Sequence, residues 1–377
     1  MNRITSCILL AVIMILPASA APMVSLGDNV NLFFNGSAGL RYESNVALDE
    51  ENELDDFIFR FTPGIEVAIG KRGTTPANIT VIFREEILRY NDNDRLDTEK
   101  FSAQLNGSFD DPKLSGKFDL GFREQQSNTP EANIVADLVE SDVTTAGASV
   151  EYNFSPKLSF GGGFAYRELE YVTFTQLADT ESLTIPLNAY YEISPKLDAT
   201  GGVRWRFSDI EGGSDPDDLF VNVGLRGDLA PKVTGEIRVG FQEREFTARP
   251  IADEDGLSIE GNATWAATPK VQVRGLIARD FTISGTGETI EKTDLLASGN
   301  YVYNELISFT GSLGYTNSDY NVSGREDDII LFSTGVQYKP NDYVSLNAQY
   351  RFSDNDSSRA GSSYTAHVLR FSAALRY

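Results

Sequence analysis

The chain has 377 residues, with 32 lysines and arginines against 55 aspartates and glutamates, and so a formal charge of −23. A chain this acidic has little with which to neutralise phosphates, which argues against nucleic acid as a partner. Its single cysteine and single histidine exclude a disulfide framework and a thiolate metal site, and no stretch approaches the ~18 apolar residues of a membrane-spanning helix.

The first twenty residues read as a segment removed on export. Arg3 supplies a short positive region, Cys7 opens an apolar run of ten that ends at Leu16, and Pro17, Ala18, Ser19 and Ala20 give a small-residue cleavage site. Residues 1–20 are therefore a secretory signal peptide, and 21–377 the mature chain, with a stub over about 21–30. Cleavage removes Arg3 and Cys7, taking the charge to −24 and leaving no cysteine.

Beyond the stub, helical periodicity is nearly absent and apolar residues alternate. Phe57, Phe59 and Phe61 flank Ile58, Arg60 and Thr62; Val203, Trp205 and Phe207 flank Arg204 and Arg206; Ile237, Val239 and Phe241 flank Arg238. A turn signal punctuates the alternation: DDPKLSG (110–116), FSPKLSF (154–160), ISPKLDA (193–199), LAPKVTG (229–235) and ATPKVQV (267–273). Proline pre-sets φ for a tight turn, and its missing donor is harmless outside a ladder. Weaker members lie at 71–78, 303–308 and 339–345. Longer polar loops fall between them, at 44–56, 91–98, 126–141, 172–179, 209–216, 247–256, 284–289, 319–327 and 353–361. Eight short turns and nine long loops join 18 strands. A period near 40 residues also suits a propeller, but each repeat here holds two long strands instead of four short ones.

An even strand number with alternately short and long connections is the pattern of a transmembrane antiparallel up-and-down β-barrel. The fold class expected is all-β, with about 18 strands. A strand charge on the lipid face costs a few kcal/mol (~2–4 at mid-bilayer), so charged strand residues must face the lumen. This predicts a polar lining that includes Arg41, Arg60, Arg84, Arg204, Arg206, Arg238, Arg274, Arg370 and Arg376, with Glu66, Glu151 and Glu236 as acidic neighbours. Tyr42, Tyr90, Tyr166, Tyr190, Tyr303, Tyr338 and Tyr350 lie near strand ends, where aromatic girdles form.

In the last strand Leu369, Phe371, Ala373, Leu375 and Tyr377 share one face, and Arg370 and Arg376 lie on the other. An apolar row closing on a terminal aromatic resembles the assembly signal of bacterial outer-membrane barrels, with Leu369, Phe371, Leu375 and Tyr377 as the residues read. In the first hairpin, Tyr42, Ser44, Asn45 and Val46 are followed by Asp55, Asp56 and Phe57, then Thr62, Pro63 and Gly64. That run resembles the Putative beta-barrel porin 2 family of outer-membrane barrels, some of which are linked to exopolysaccharide secretion loci. The resemblance implies fold and outer-membrane location; it carries over no catalytic, cofactor or metal residue.

Acids crowd four loops: Asp49 to Asp56; Asp215, Asp217 and Asp218; Asp253 to Asp255; and Glu326 to Asp328. They read either as a cation-attracting mouth that bridges to lipopolysaccharide through divalent cations, or as a solvated acidic rim. His367 lies on the lipid-side register near the rim, and no Ser–His spacing supports catalysis. An 18-stranded barrel leaves a bore unless a loop folds into it, and the candidate plug is 126–141, whose ANIVADLVE segment is mildly apolar; the alternative for it is an ordered surface loop. The expected function is a passive outer-membrane channel for small polar solutes or saccharides. The alternatives are an exopolysaccharide-secretion component with periplasmic export partners, or a structural barrel with an occluded lumen. The other partners expected are outer-membrane lipid, lipopolysaccharide and the barrel-assembly machinery.

Overall fold

The computed structural model describes residues 22–27, 29–70, 76–128, 137–174, 176–246 and 253–377. The expected signal peptide, 1–20, and most of the 132–140 segment lie outside the described residues. In chain order the strands are β1 (Val24–Leu26), β2 (Val30–Glu43), β3 (Asp56–Ile69), β4 (Ala77–Tyr90), β5 (Thr98–Asp110), β6 (Leu114–Ser127), β7 (Val139–Ser155), β8 (Leu158–Tyr171), β9 (Thr180–Ser194) and β10 (Leu197–Ile210). They continue as β11 (Pro216–Ala230), β12 (Val233–Phe246), β13 (Glu254–Thr268), β14 (Val271–Ile283), β15 (Thr289–Val302), β16 (Ile307–Tyr320), β17 (Glu326–Tyr338), β18 (Val344–Ser357) and β19 (Tyr364–Arg376).

Strands β2 to β19 form one closed antiparallel barrel of 18, each paired with its sequence neighbour. Closure runs from Val368 opposite Glu43 to Arg376 opposite Asn35, and Phe34 and Tyr377 exchange both backbone hydrogen bonds at 2.6 and 2.8 Å. An open edge in lipid would leave its N–H and C=O groups unsatisfied, so closure is a condition of the fold. Below the C-terminus β2 outruns its partner, and there β1 pairs with it, Val24 opposite Leu32. The short strand covers the one stretch of edge that β19 leaves bare.

The ends of strands depart from the sequence expectation. β18 continues to Ser357 and β13 starts at Glu254, inside segments expected to be loops. Above the apolar belt both faces of a strand are polar, so the alternation vanishes while the ladder continues.

Candidate functional site: the barrel interior

Contacts between strands that are not neighbours can be made only across the interior, and they identify the inner face. Arg226 on β11 binds Glu151 on β7 through two hydrogen bonds of 2.8 and 3.0 Å. Arg206 on β10 reaches Asp280 on β14 at 3.0 Å, and Arg376 on β19 grips Glu66 on β3 at 2.8 and 3.2 Å. Residues of opposite parity form the outer belt of exposed Phe34, Leu40, Phe61, Ile65, Phe83, Val223, Phe241, Leu313 and Phe371. Leu369, Leu375 and Tyr377 belong to that belt.

The inner face divides into two parts. Around β7 to β15 it is filled by paired charges. Asp218 accepts from Arg206 at 2.6 Å and from two nitrogens of Arg244 at 2.6 and 2.9 Å; the Asp218 and Arg244 side chains are 0% exposed. Arg244 also donates to Thr289 Oγ1 at 3.0 Å, and Arg204 lies on the buried Phe220 ring at 3.8 Å while it binds Asp280 at 3.1 Å. Nearer the short turns, Arg226 joins Glu151 to Asp198 across the Tyr190 ring, and Arg238 binds Glu236 at 2.6 Å and Asn188 at 2.5 Å. Each of the five arginines named here has its acid, so these clusters present little net charge to a solute.

From β18 round through β2 to β8 the balance changes. Arg41 stands directly opposite Arg370, two like charges on one face, with Glu43 at 3.2 Å from Arg41. Arg60 pairs with Glu86, which also takes Lys100 at 3.3 Å. Arg376 lies on the Phe33 ring at 3.7 Å. Arg84, Arg123, Arg167, Arg351 and Arg370 have no hydrogen-bond or ion-pair partner among the described residues, and Arg274 on β14 has none either. Beside this wall, at the short-turn end, lies a cavity of about 710 Å³ lined by Arg60, Arg84, Glu66, Arg376 and the turn residues Glu305 and Lys339.

At the long-loop end two devices narrow the mouth. The 44–55 loop turns inward: Val46 packs with Ile58, Leu88, Tyr90, Leu96, Leu138 and Leu54. Asn45 holds it by donating to Asp49 O and Thr365 O at 2.8 and 3.2 Å, and Asn128 Nδ2 donates to Val46 O at 2.7 Å. Across the barrel, Ala178 N donates to Gly285 O at 2.9 Å, which ties the β8–β9 loop to the β14–β15 loop. Of the candidate plug 126–141, residues 129–136 lie outside the described residues; its Leu138 joins the apolar cluster, into which the first loop also folds.

Several sequence expectations are corrected. Asp218 is no loop acid: it lies within β11, facing in, neutralised by two arginines. Asp327 lies in β17 and pairs with Arg325 at 2.6 Å. Asp56 opens β3, is 1% exposed and accepts the backbone N–H groups of Asn91, Asp92 and Asn93. These acids hold loop backbone and cations of the chain. Tyr90 and Tyr190 are buried on the inner face and not in a girdle. The lumen is not uniformly polar, since Leu276, Leu296 and Leu331 share one inward row. Asp280, Arg226, Arg244, Arg123, Arg167 and Arg351 escaped sequence reading, although Arg226 continues the alternation of Val221, Val223 and Leu225 and was there to be found. Arg244 sits in a run of four polar residues, 242–245, where alternation gives no signal.

His367 projects outward beside Tyr350, whose hydroxyl is 2.9 Å from His367 Nδ1, and packs on Phe352. No group of three or more metal-ligating side chains is found among the described residues.

A closed 18-stranded barrel with an apolar outer belt and a charged interior is an outer-membrane barrel of a Gram-negative bacterium. The sequence profile of the Putative beta-barrel porin 2 family matches residues 35–377, and the chain belongs to that family. No curated protein matches it in sequence. Among solved structures it is similar to OpdK of Pseudomonas aeruginosa, with 10% identity, 92% of this chain and 99% of that one covered, and a TM-score of 0.52. OccK2 (OpdF) of the same organism gives 7% identity, 92% and 98% coverage and a TM-score of 0.51. OccAB3 of Acinetobacter baumannii gives 12% identity, 92% and 99% coverage and a TM-score of 0.48. At these identities the likeness is one of fold.

Proposed function

We propose that the protein is a passive outer-membrane channel for small polar solutes or saccharides, with a preference for anions, and not an enzyme. The observation that carries this reading is the division of the interior. In the ion-pair clusters the charges cancel, whereas along β18, β19, β4, β6 and β8 the inward Arg351, Arg370, Arg84, Arg123 and Arg167 lack a hydrogen-bond or ion-pair partner among the described residues. A solute passing through the open half meets a fixed positive field in a low-dielectric frame, which raises local anion concentration and sets charge preference. The acidic rim keeps the outer surface solvated, and lipopolysaccharide and the assembly machinery are the partners this location supplies.

Planar-bilayer recording of the purified protein tests the reading. Discrete conductance steps are expected, with a reversal potential in asymmetric KCl displaced toward that of chloride. Absence of steps overturns the channel, and a displacement toward potassium overturns the anion preference. The two structures named above at TM-scores over 0.5, OpdK and OpdF, do not favour the alternative of an exopolysaccharide-secretion component.

A further inference from the structure

The strand register sets Arg84, Ser102 and Arg123 in one row across β4, β5 and β6. Arg84 is directly opposite Ser102, and Ser102 directly opposite Arg123. Neighbouring strands lie about 4.8 Å apart, so the two arginine backbones are roughly 10 Å apart with a hydroxyl midway. All three face the interior. Both guanidinium groups are exposed there, and neither has a hydrogen bond or ion pair among the described residues.

Two glycines keep the space around the row open. Gly64 continues the row on β3, and a Cβ there would come 2.9 Å from Arg84 Cγ, so glycine lets the arginine stem lie along the wall. Gly121 precedes Arg123 by two on the same face, and a Cβ there would come 2.6 Å from Thr145 Oγ1. What remains is a recess of about 240 Å³ whose inward lining includes Arg84, Ser102, Gln104, Arg123 and Thr145.

Two unpaired guanidinium groups this close repel each other when the recess is empty. An anion between them converts the repulsion into charge-assisted, fork-to-oxygen hydrogen bonds. We propose that the Arg84–Ser102–Arg123 row is an anion subsite that takes the carboxylate of a small hydroxylated acid, a hexuronate being the type. The Ser102 hydroxyl donates to the same carboxylate, and Gln104 and Thr145 meet the solute's hydroxyl groups. The subsite rests on the channel reading only for the route by which solute reaches it.

Isothermal titration of the folded, detergent-solubilised protein with sodium glucuronate, glucose and inorganic phosphate tests the assignment. Glucuronate binds and glucose does not. Arg84→Gln and Arg123→Gln each weaken glucuronate binding by about tenfold, the loss of one charge-assisted contact, and the double variant abolishes it. All variants keep the heat-modifiable mobility of a folded barrel in SDS. No heat with glucuronate, or variants that bind as tightly as the parent, overturns the subsite; phosphate bound in preference to glucuronate overturns the carboxylate assignment. The two readings fail separately. A barrel that conducts but binds no glucuronate loses the subsite alone, and one that binds it without conducting loses the channel alone.

Discussion

Asp218 concentrates the energetics of the filled half in one side chain. Its carboxylate is fully buried and answers two guanidinium groups, one of them in a two-nitrogen grip from the equally buried Arg244. Asp218→Asn keeps one acceptor oxygen but removes the charge, so Arg244 is left with no acid among the described residues, only neutral acceptors such as Thr289 Oγ1 and Thr282 O. Removing one partner of a buried pair typically costs ~3–5 kcal/mol, because the other charge stays in a low dielectric. The urea midpoint of the folded barrel in detergent falls accordingly. The double variant Asp218→Asn with Arg244→Met recovers part of the loss, since an apolar replacement needs no counter-charge. A single variant as stable as the parent would show that water reaches the pair. Alternation could show that residues 204 and 206 face away from Val203 and Trp205. It could not show which acid each arginine meets, because Asp280 lies 74 residues from Arg206 and comes to it only through the curvature of the wall.

At the scale of the element, the first loop and the last strand make separate predictions. The 44–55 loop is held inward by an apolar cluster and by Asn45. Val46→Asp places a carboxylate among Ile58, Leu88 and Leu96, where it has no partner, and burying it unpaired is prohibitive. The loop swings out while the ladders of β2 and β3 persist, so single-channel conductance rises and residues 44–55 become protease-sensitive; unchanged conductance would mean that the narrowest point lies elsewhere. Just past β19, Tyr377 closes the ladder with Phe34 and packs on Tyr343 at 5.9 Å between ring centres. We propose that the outward row ending at Tyr377 is also what the assembly machinery reads. Deletion of Tyr377 then leaves export across the inner membrane intact but sharply lowers the folded, outer-membrane form, and normal accumulation of a heat-modifiable truncated barrel would refute the signal. The strands and the alternation of turns were legible because period two and the recurring proline turns are local patterns. The inward fold of the first loop was not: its Val46 and Leu54 are ordinary apolar residues in an acidic stretch, and their partners Leu96 and Leu138 lie on loops that only the closed barrel brings near.

For the whole molecule, the division of the interior makes selectivity a property of one wall. Ion pairs such as Arg226 with Glu151 add no net charge, so their loss alters stability more than permeation. The unpaired set along β18, β19, β4, β6 and β8 supplies the field, and that field acts through solution. Its reach is therefore set by the ionic strength: the screening length is ~10 Å at 0.1 M salt and ~3 Å at 1 M. A solute several ångströms off the arginine wall feels the field at the first distance and is screened from it at the second. The chloride-to-potassium permeability ratio should accordingly be well above one near 0.1 M KCl and fall toward one near 1 M. Arg351→Gln with Arg370→Gln, on β18 and β19 and so outside the Arg84 row, should lower the ratio at low salt and leave it nearly unchanged at high salt. A ratio that ignores salt would place selectivity in a dehydrated constriction, where bulk screening does not enter, and would move the seat of discrimination from the wall to the inward-folded loop.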